Sequence, residues 1–132
     1  MADTVSLEVA RDSEPLPLVH MVLGGVAVRR NLSFDALDDL QLAVDNILAE
    51  DVPPSGILSM AVTVSEDSVG IRLEPLRNRD LRATLLDGKV PAGAEGRCID
   101  VCLLLRSLVD DYSIGDLSGD AYAVEILKHI GQ

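Results

Sequence analysis

The sequence predicts an α+β domain, a two-layer sandwich with helices on one face of a mixed, mostly antiparallel sheet. Three observations lead there. Two segments with apolar residues at helical spacing, 15–30 and 33–50, follow one another with almost no connection between them. Two alternating segments, 57–65 and 69–76, are separated by a short polar turn and read as a hairpin. A strongly apolar helical stretch, 96–108, then leads into a last pair of sheet segments. No repeat, linker or low-complexity tract divides the 132 residues, so a single domain, 1–132, with one core is expected.

Each element has a local reason. Thr4 to Ala10 alternates polar and apolar, which turns Val5, Leu7 and Val9 inward. Ser13 is a candidate cap for a helix starting near Pro15, because proline is tolerated in a first turn. That helix runs through Leu18, Val19, Val22, Leu23, Val26 and Ala27 to Arg29-Arg30. Gly24-Gly25 in its middle costs about 1 kcal/mol per residue in propensity, which predicts close approach of another backbone or a bend. The next helix, Ser33 to Glu50, has Ser33 as N-cap and Asp35, Asp38 and Asp39 where the helix dipole favours negative charge. Its apolar face is Phe34, Leu37, Leu40, Val44, Ile47 and Leu48. The turn Val52-Pro53-Pro54-Ser55-Gly56 stops it.

Ile57 to Ser65 and Val69 to Leu76 form the hairpin around Glu66-Asp67-Ser68. Arg77 to Leu86 predicts a short helix capped by Asn78, and 87–95 a Gly- and Pro-containing loop. Val109 to Ser113 enters the last sheet segment, and 116–120 is a turn. Ala121 to Ile130 then alternates, with Tyr122, Val124, Ile126 and Lys128 on one side.

Composition narrows the function. With two Tyr, one Phe and no Trp, the core is aliphatic. A net charge of −11 argues against direct binding to nucleic acid or an anionic membrane and suits a partner with a basic face, or serves solubility alone. The N-terminal stretch lacks an apolar signal region, and no apolar run approaches a membrane span, so a cytoplasmic setting is expected. Cys98 and Cys102 lie on one face of a helix as small core residues, with no metal-ligand set around them. His20 and His129 match no catalytic signature.

The run Asp39-Leu40-Gln41-Leu42-Ala43-Val44-Asp45, followed by Asn46 and Glu50, resembles the catalytic-helix motif of bacterial anti-sigma factors with serine-protein kinase activity, in the GHKL (histidine-kinase-like ATPase) superfamily. Leu105 to Tyr112 looks like the end of that family's last helix, and the element order agrees over nearly the whole chain. The resemblance implies the histidine-kinase-like ATPase fold and a homodimeric regulator of transcription in stress responses. Such a regulator sequesters an RNA polymerase sigma factor until an anti-sigma-factor antagonist releases it.

The polar positions depart from the family pattern. The family's catalytic glutamate aligns with Asn46, and an amide is no general base. Its Mg²⁺-binding asparagine aligns with Glu50, whose carboxylate suits a hard cation. Asp45 is adjacent but about 100° round the helix. The adenine-reading Asp-x-Gly-x-Gly segment corresponds to Leu73 to Leu81, which has no glycine. The phosphate-binding glycines fall on Ile99 and Val101, while Gly88, Gly93 and Gly96 lie upstream. The expectation is therefore an anti-sigma-like binding protein with a degenerate nucleotide site, no catalytic residue and no cofactor. Asn46 and Glu50 would be the remnants of the site, and Glu50 the one candidate Mg²⁺ ligand. The alternatives are an active ATP-dependent serine-protein kinase with a divergent site, a non-catalytic scaffold subunit, and an unrelated α+β domain in which Asn46 and Glu50 are a solvated helix face. Arg11, Arg29 and Arg30, and the cluster Arg77-Asn78-Arg79, are candidate exposed partner contacts.

Overall fold

The computed structural model describes residues 3–13, 15–51, 56–87 and 96–130. Strand β1 (Asp3–Ala10) leads through a single 3₁₀ turn into helices α1 (Leu16–Arg30) and α2 (Phe34–Glu50). The hairpin β2 (Ile57–Val64) and β3 (Ser68–Leu76) follows, then α3 (Arg79–Asp87) and α4 (Gly96–Leu108), and last β4 (Asp111–Asp116) and β5 (Tyr122–His129). The predicted element order holds throughout.

The sheet order is β1-β2-β3-β5-β4, and every neighbouring pair is antiparallel, so the expected mixed sheet is corrected. Between β1 and β2 the reason is geometric. One crossover helix returns the chain for a parallel strand, whereas two antiparallel helices bring it back to the end it left. The turn between α1 and α2 enforces that reversal. Asn31 ends α1 at φ 56°, a left-handed conformation that asparagine tolerates, and the amides of Asn31 and Leu32 donate to the carbonyls of Val28 and Ala27. Ser33 then caps α2, its Oγ accepting from the Ala36 amide at 3.0 Å.

Helices cover one face of the sheet. Met60 faces Leu73, Val62 faces Ile71, and Ile71 and Leu73 face Ile126 and Val124, which lines the inner face with aliphatic side chains. Val19, Leu23 and Val26 of α1 and Leu40, Val44 and Ile47 of α2 close over them. The outer face is polar. There Arg72 donates to Glu125 at 2.7 Å and to Glu74 at 3.1 Å. Lys128 does share the inner side of β5, as alternation predicts, and reaches over to the Leu108 carbonyl at 2.8 Å and Asp39 at 3.1 Å.

Several local expectations are corrected. Pro15, not Ser13, occupies the cap position of α1, and it offers no side-chain hydrogen bond. Phe34, expected in the core, is 84% exposed as the first residue of α2, next to its exposed cap Ser33. Leu18 is likewise turned outward. A Cβ built on Gly24 or Gly25 would meet nothing within 4 Å, so among the described residues no other backbone approaches the pair.

Candidate functional site

The resemblance points to the C-terminal half of α2, and that region is built around Asp51. Asp51 follows the last residue of α2 and is 5% exposed. Its Oδ1 accepts the backbone amides of Arg77 and Asn78 at 2.6 and 2.7 Å, and its Oδ2 accepts from Arg11 Nη1 at 2.6 Å. Arg11 Nη2 also donates to the carbonyls of Leu48 and Asp51, at 3.3 and 3.2 Å. Asn78 extends the junction. Its Nδ2 donates to the Glu50 carbonyl at 2.8 Å, its Oδ1 accepts the Leu81 amide at 2.8 Å, and its carbonyl accepts the Tyr122 hydroxyl at 2.8 Å. The end of β1, the end of α2, the start of α3 and the start of β5 are thus pinned at one place. A buried charge pair of this kind is tolerated because nearly every polar group in it is matched.

The position of each predicted site residue follows from this junction. Asn46 is half-buried, and its Nδ2 donates to the Leu42 carbonyl of its own helix at 2.8 Å. Glu50 lies one turn further on, on the same face, and is only 9% exposed. The view that these two residues form a solvated face is therefore corrected for Glu50. A Mg²⁺ ion ordinarily keeps several waters, so a buried carboxylate is a poorer ligand for it than an exposed one. Among the described residues no group of three His, Cys, Asp or Glu side chains is placed to hold a metal.

The other nucleotide elements are replaced in kind. Where the resemblance would place an adenine-reading loop, β3 passes a cis Glu74–Pro75 bond and runs directly into α3, capped by Asn78. Val101, at one phosphate-glycine position, is 4% exposed within the hydrophobic core. The side chain of Ile99 and the glycines at 88 and 93 lie outside the described residues, and Gly96 opens α4. Asn46 supplies an amide rather than a carboxylate and Glu50 is buried, while residues 88–95 lie outside the described residues.

Asp45, round the helix from Asn46, is engaged with His20 of α1, whose Nε2 is 2.7 and 2.9 Å from its two carboxylate oxygens. The pair clips α1 to α2 at the surface. Cys102 is buried, as expected, with its Sγ 3.6 Å from the Tyr112 hydroxyl; the Cys98 side chain lies outside the described residues. Burial pushes the Tyr112 hydroxyl above its ordinary range, and the Cys102 contact adds to this.

The arginine candidates divide. Arg11 is corrected from exposed contact to buried structural partner. Arg30 donates to Asp3 at 2.8 Å and Arg79 to Asp120 at 3.0 Å, while Arg29 is largely exposed. Asn78 is committed to the junction. Surface depressions of about 340 and 430 Å³ lie on the open sheet face, around Arg72 and Glu125, and beside the α1–α2 turn, around Asp39 and Lys128. Neither is lined by Asn46 or Glu50.

No protein-family model matches this chain, and neither does any curated protein. Among the described residues no helix is long and apolar enough to cross a membrane.

Proposed function

We propose that this chain is a binding regulator of the anti-sigma type. It sequesters an RNA polymerase sigma factor, surrenders it to an antagonist protein, and works without phosphoryl transfer. The observation that carries this reading is the Asp51 junction. Arg11, Asp51 and Asn78, beside the Asn46 and Glu50 positions, are joined into a structural lock, which favours a binding role over phosphoryl transfer. What remains for function is surface, and at −11 that surface favours a basic partner.

The test uses the full chain immobilised against the purified sigma factors and antagonist-type proteins of its own cell. One sigma factor binds, and an antagonist displaces it, with or without ATP. Isothermal calorimetry with ATP and Mg²⁺ gives no binding heat under conditions where an active kinase of the resembled family titrates. Failure of every sigma factor to bind overturns the partner assignment, and a saturable ATP isotherm overturns the loss of the nucleotide site.

A further inference from the structure

The sequence of α1 is apolar on both sides, and only one side is used inside the domain. Val19, Leu23, Val26 and Ala27 are buried against the sheet. On the opposite side Leu18, Met21, Gly25 and Val28 recur at spacings of three, four and three, and Met21 and Val28 are 70% and 85% exposed. A helix apolar all round belongs in an interior. Among the described residues no element covers this side of α1. The stripe continues across the neighbouring helix, because α2 runs antiparallel beside α1 and the His20–Asp45 contact sets their alignment. Phe34 and Leu42, both exposed, extend the apolar surface from α2.

We infer that this face is a docking groove for a cationic amphipathic helix of a partner protein. Gly24 and Gly25 form the floor. Their Cβ positions are open, so a second helix can approach the α1 backbone as closely as small residues permit. The run from Leu18 to Val28 is about 15 Å long, enough for roughly three turns of a docked helix.

Charge selects the occupant. Asp35 and Asp38 are exposed on α2 beside the stripe, and neither pairs with a cation among the described residues. The α2 sequence contains no Lys or Arg at all. The arginines at the end of α1 are drawn toward Asp3 instead. An apolar strip with an acidic rim is complementary to a helix carrying Leu-type residues on one face and Lys or Arg beside them. A second copy of this chain is the poorer fit. It would bring another −11 and set acidic rim near acidic rim.

The groove rests on the proposed binding function only in that its occupant is a protein. The test therefore uses synthetic peptides. A Leu/Lys amphipathic helix of about 18 residues, roughly five turns, is titrated into the full chain beside a scrambled peptide of equal composition. The amphipathic peptide binds at least about tenfold tighter, a difference of roughly 1.4 kcal/mol. Met21→Ser with Val28→Ser abolishes that preference. Gly25→Gln abolishes it as well while thermal stability stays equal or rises, which separates a blocked groove from a damaged fold. Asp35→Asn with Asp38→Asn weakens binding and flattens its salt dependence.

Equal binding of the scrambled peptide overturns the groove, as does unchanged binding by the Gly25→Gln chain. A dimer in sedimentation that Met21→Ser with Val28→Ser dissociates also overturns it, in favour of a second copy. If the peptide results hold but no sigma factor binds, the sigma assignment falls and the groove stands. If the scrambled peptide binds as well as the amphipathic one while a sigma factor binds wild type and Gly25→Gln equally, the groove is overturned and the sigma assignment stands.

Discussion

At the C-terminal end of α2, Arg11, Glu50 and Asp51 lie buried, whereas on the outer side of α1, Met21 and Val28 stand in water. Both regions run against the usual partition of side chains, in opposite directions. Their costs differ in kind. The junction desolvates charges, and it recovers that cost through short hydrogen bonds that also fix where four elements meet. The α1 face leaves apolar area hydrated, and nothing among the described residues recovers it. A violation repaired internally reads as architecture. A violation left unrepaired reads as a surface awaiting something else.

The sharpest way to break the comparison is Asp51→Ala. It strips two part-buried amides of their acceptor and leaves the Arg11 guanidinium buried without its carboxylate. Removing one partner of a buried pair costs about 3–5 kcal/mol. Urea denaturation followed by circular dichroism should show that loss as a lower midpoint. A loss below about 1 kcal/mol, in the range of surface pairs, would mean that the junction is ornamental. Leu23→Ala should follow closely. Leu23 is 2% exposed on the inner side of α1, and such truncations cost about 2–5 kcal/mol.

The sequence made the frame legible but neither anomaly. The two caps, Ser33 and Asn78, announced themselves because capping is local, within three residues of the amide served. The side of β5 that Lys128 occupies followed from a period of two. Asp51 was invisible because its partners are 26, 27 and 40 residues away, and an acid next to a proline-rich turn reads as solvated. One hint existed: Arg11 is the first basic residue of the chain and stands alone until Arg29. Glu50 misled for a related reason, since helical spacing placed it on a polar face but could not show that its end of the helix is buried. In α1, counting apolar residues without dividing them between faces hid the stripe, although its three-four-three spacing is present in the sequence.

Gly25→Ala tests the unrepaired side from the direction of stability. The position is exposed and helical, and an added Cβ meets nothing. Replacing a helical glycine by alanine gains about 0.5–1 kcal/mol. The midpoint should therefore rise. A fall would mean that the glycine pair serves the isolated fold, through the close approach or bend that its sequence first suggests.

The smallest effect is the most discriminating. Met21→Ser removes a long apolar side chain one residue from His20 and two residues from Leu23, on a helix that supplies part of the core. If Met21 contributed to the fold as Leu23 does, its truncation would cost several kcal/mol. Because 70% of it is already in water, the change should fall within about 0.5 kcal/mol, typical of surface positions. Two residues on the same helix, both apolar, would then differ several-fold in their weight on stability. The unfolding midpoints of Leu23→Ala and Met21→Ser, measured side by side, report that ratio. A near-neutral Met21 in a helix otherwise anchored by Val19, Leu23 and Val26 leaves its side chain with no structural purpose within the domain, which is the condition a docking surface requires.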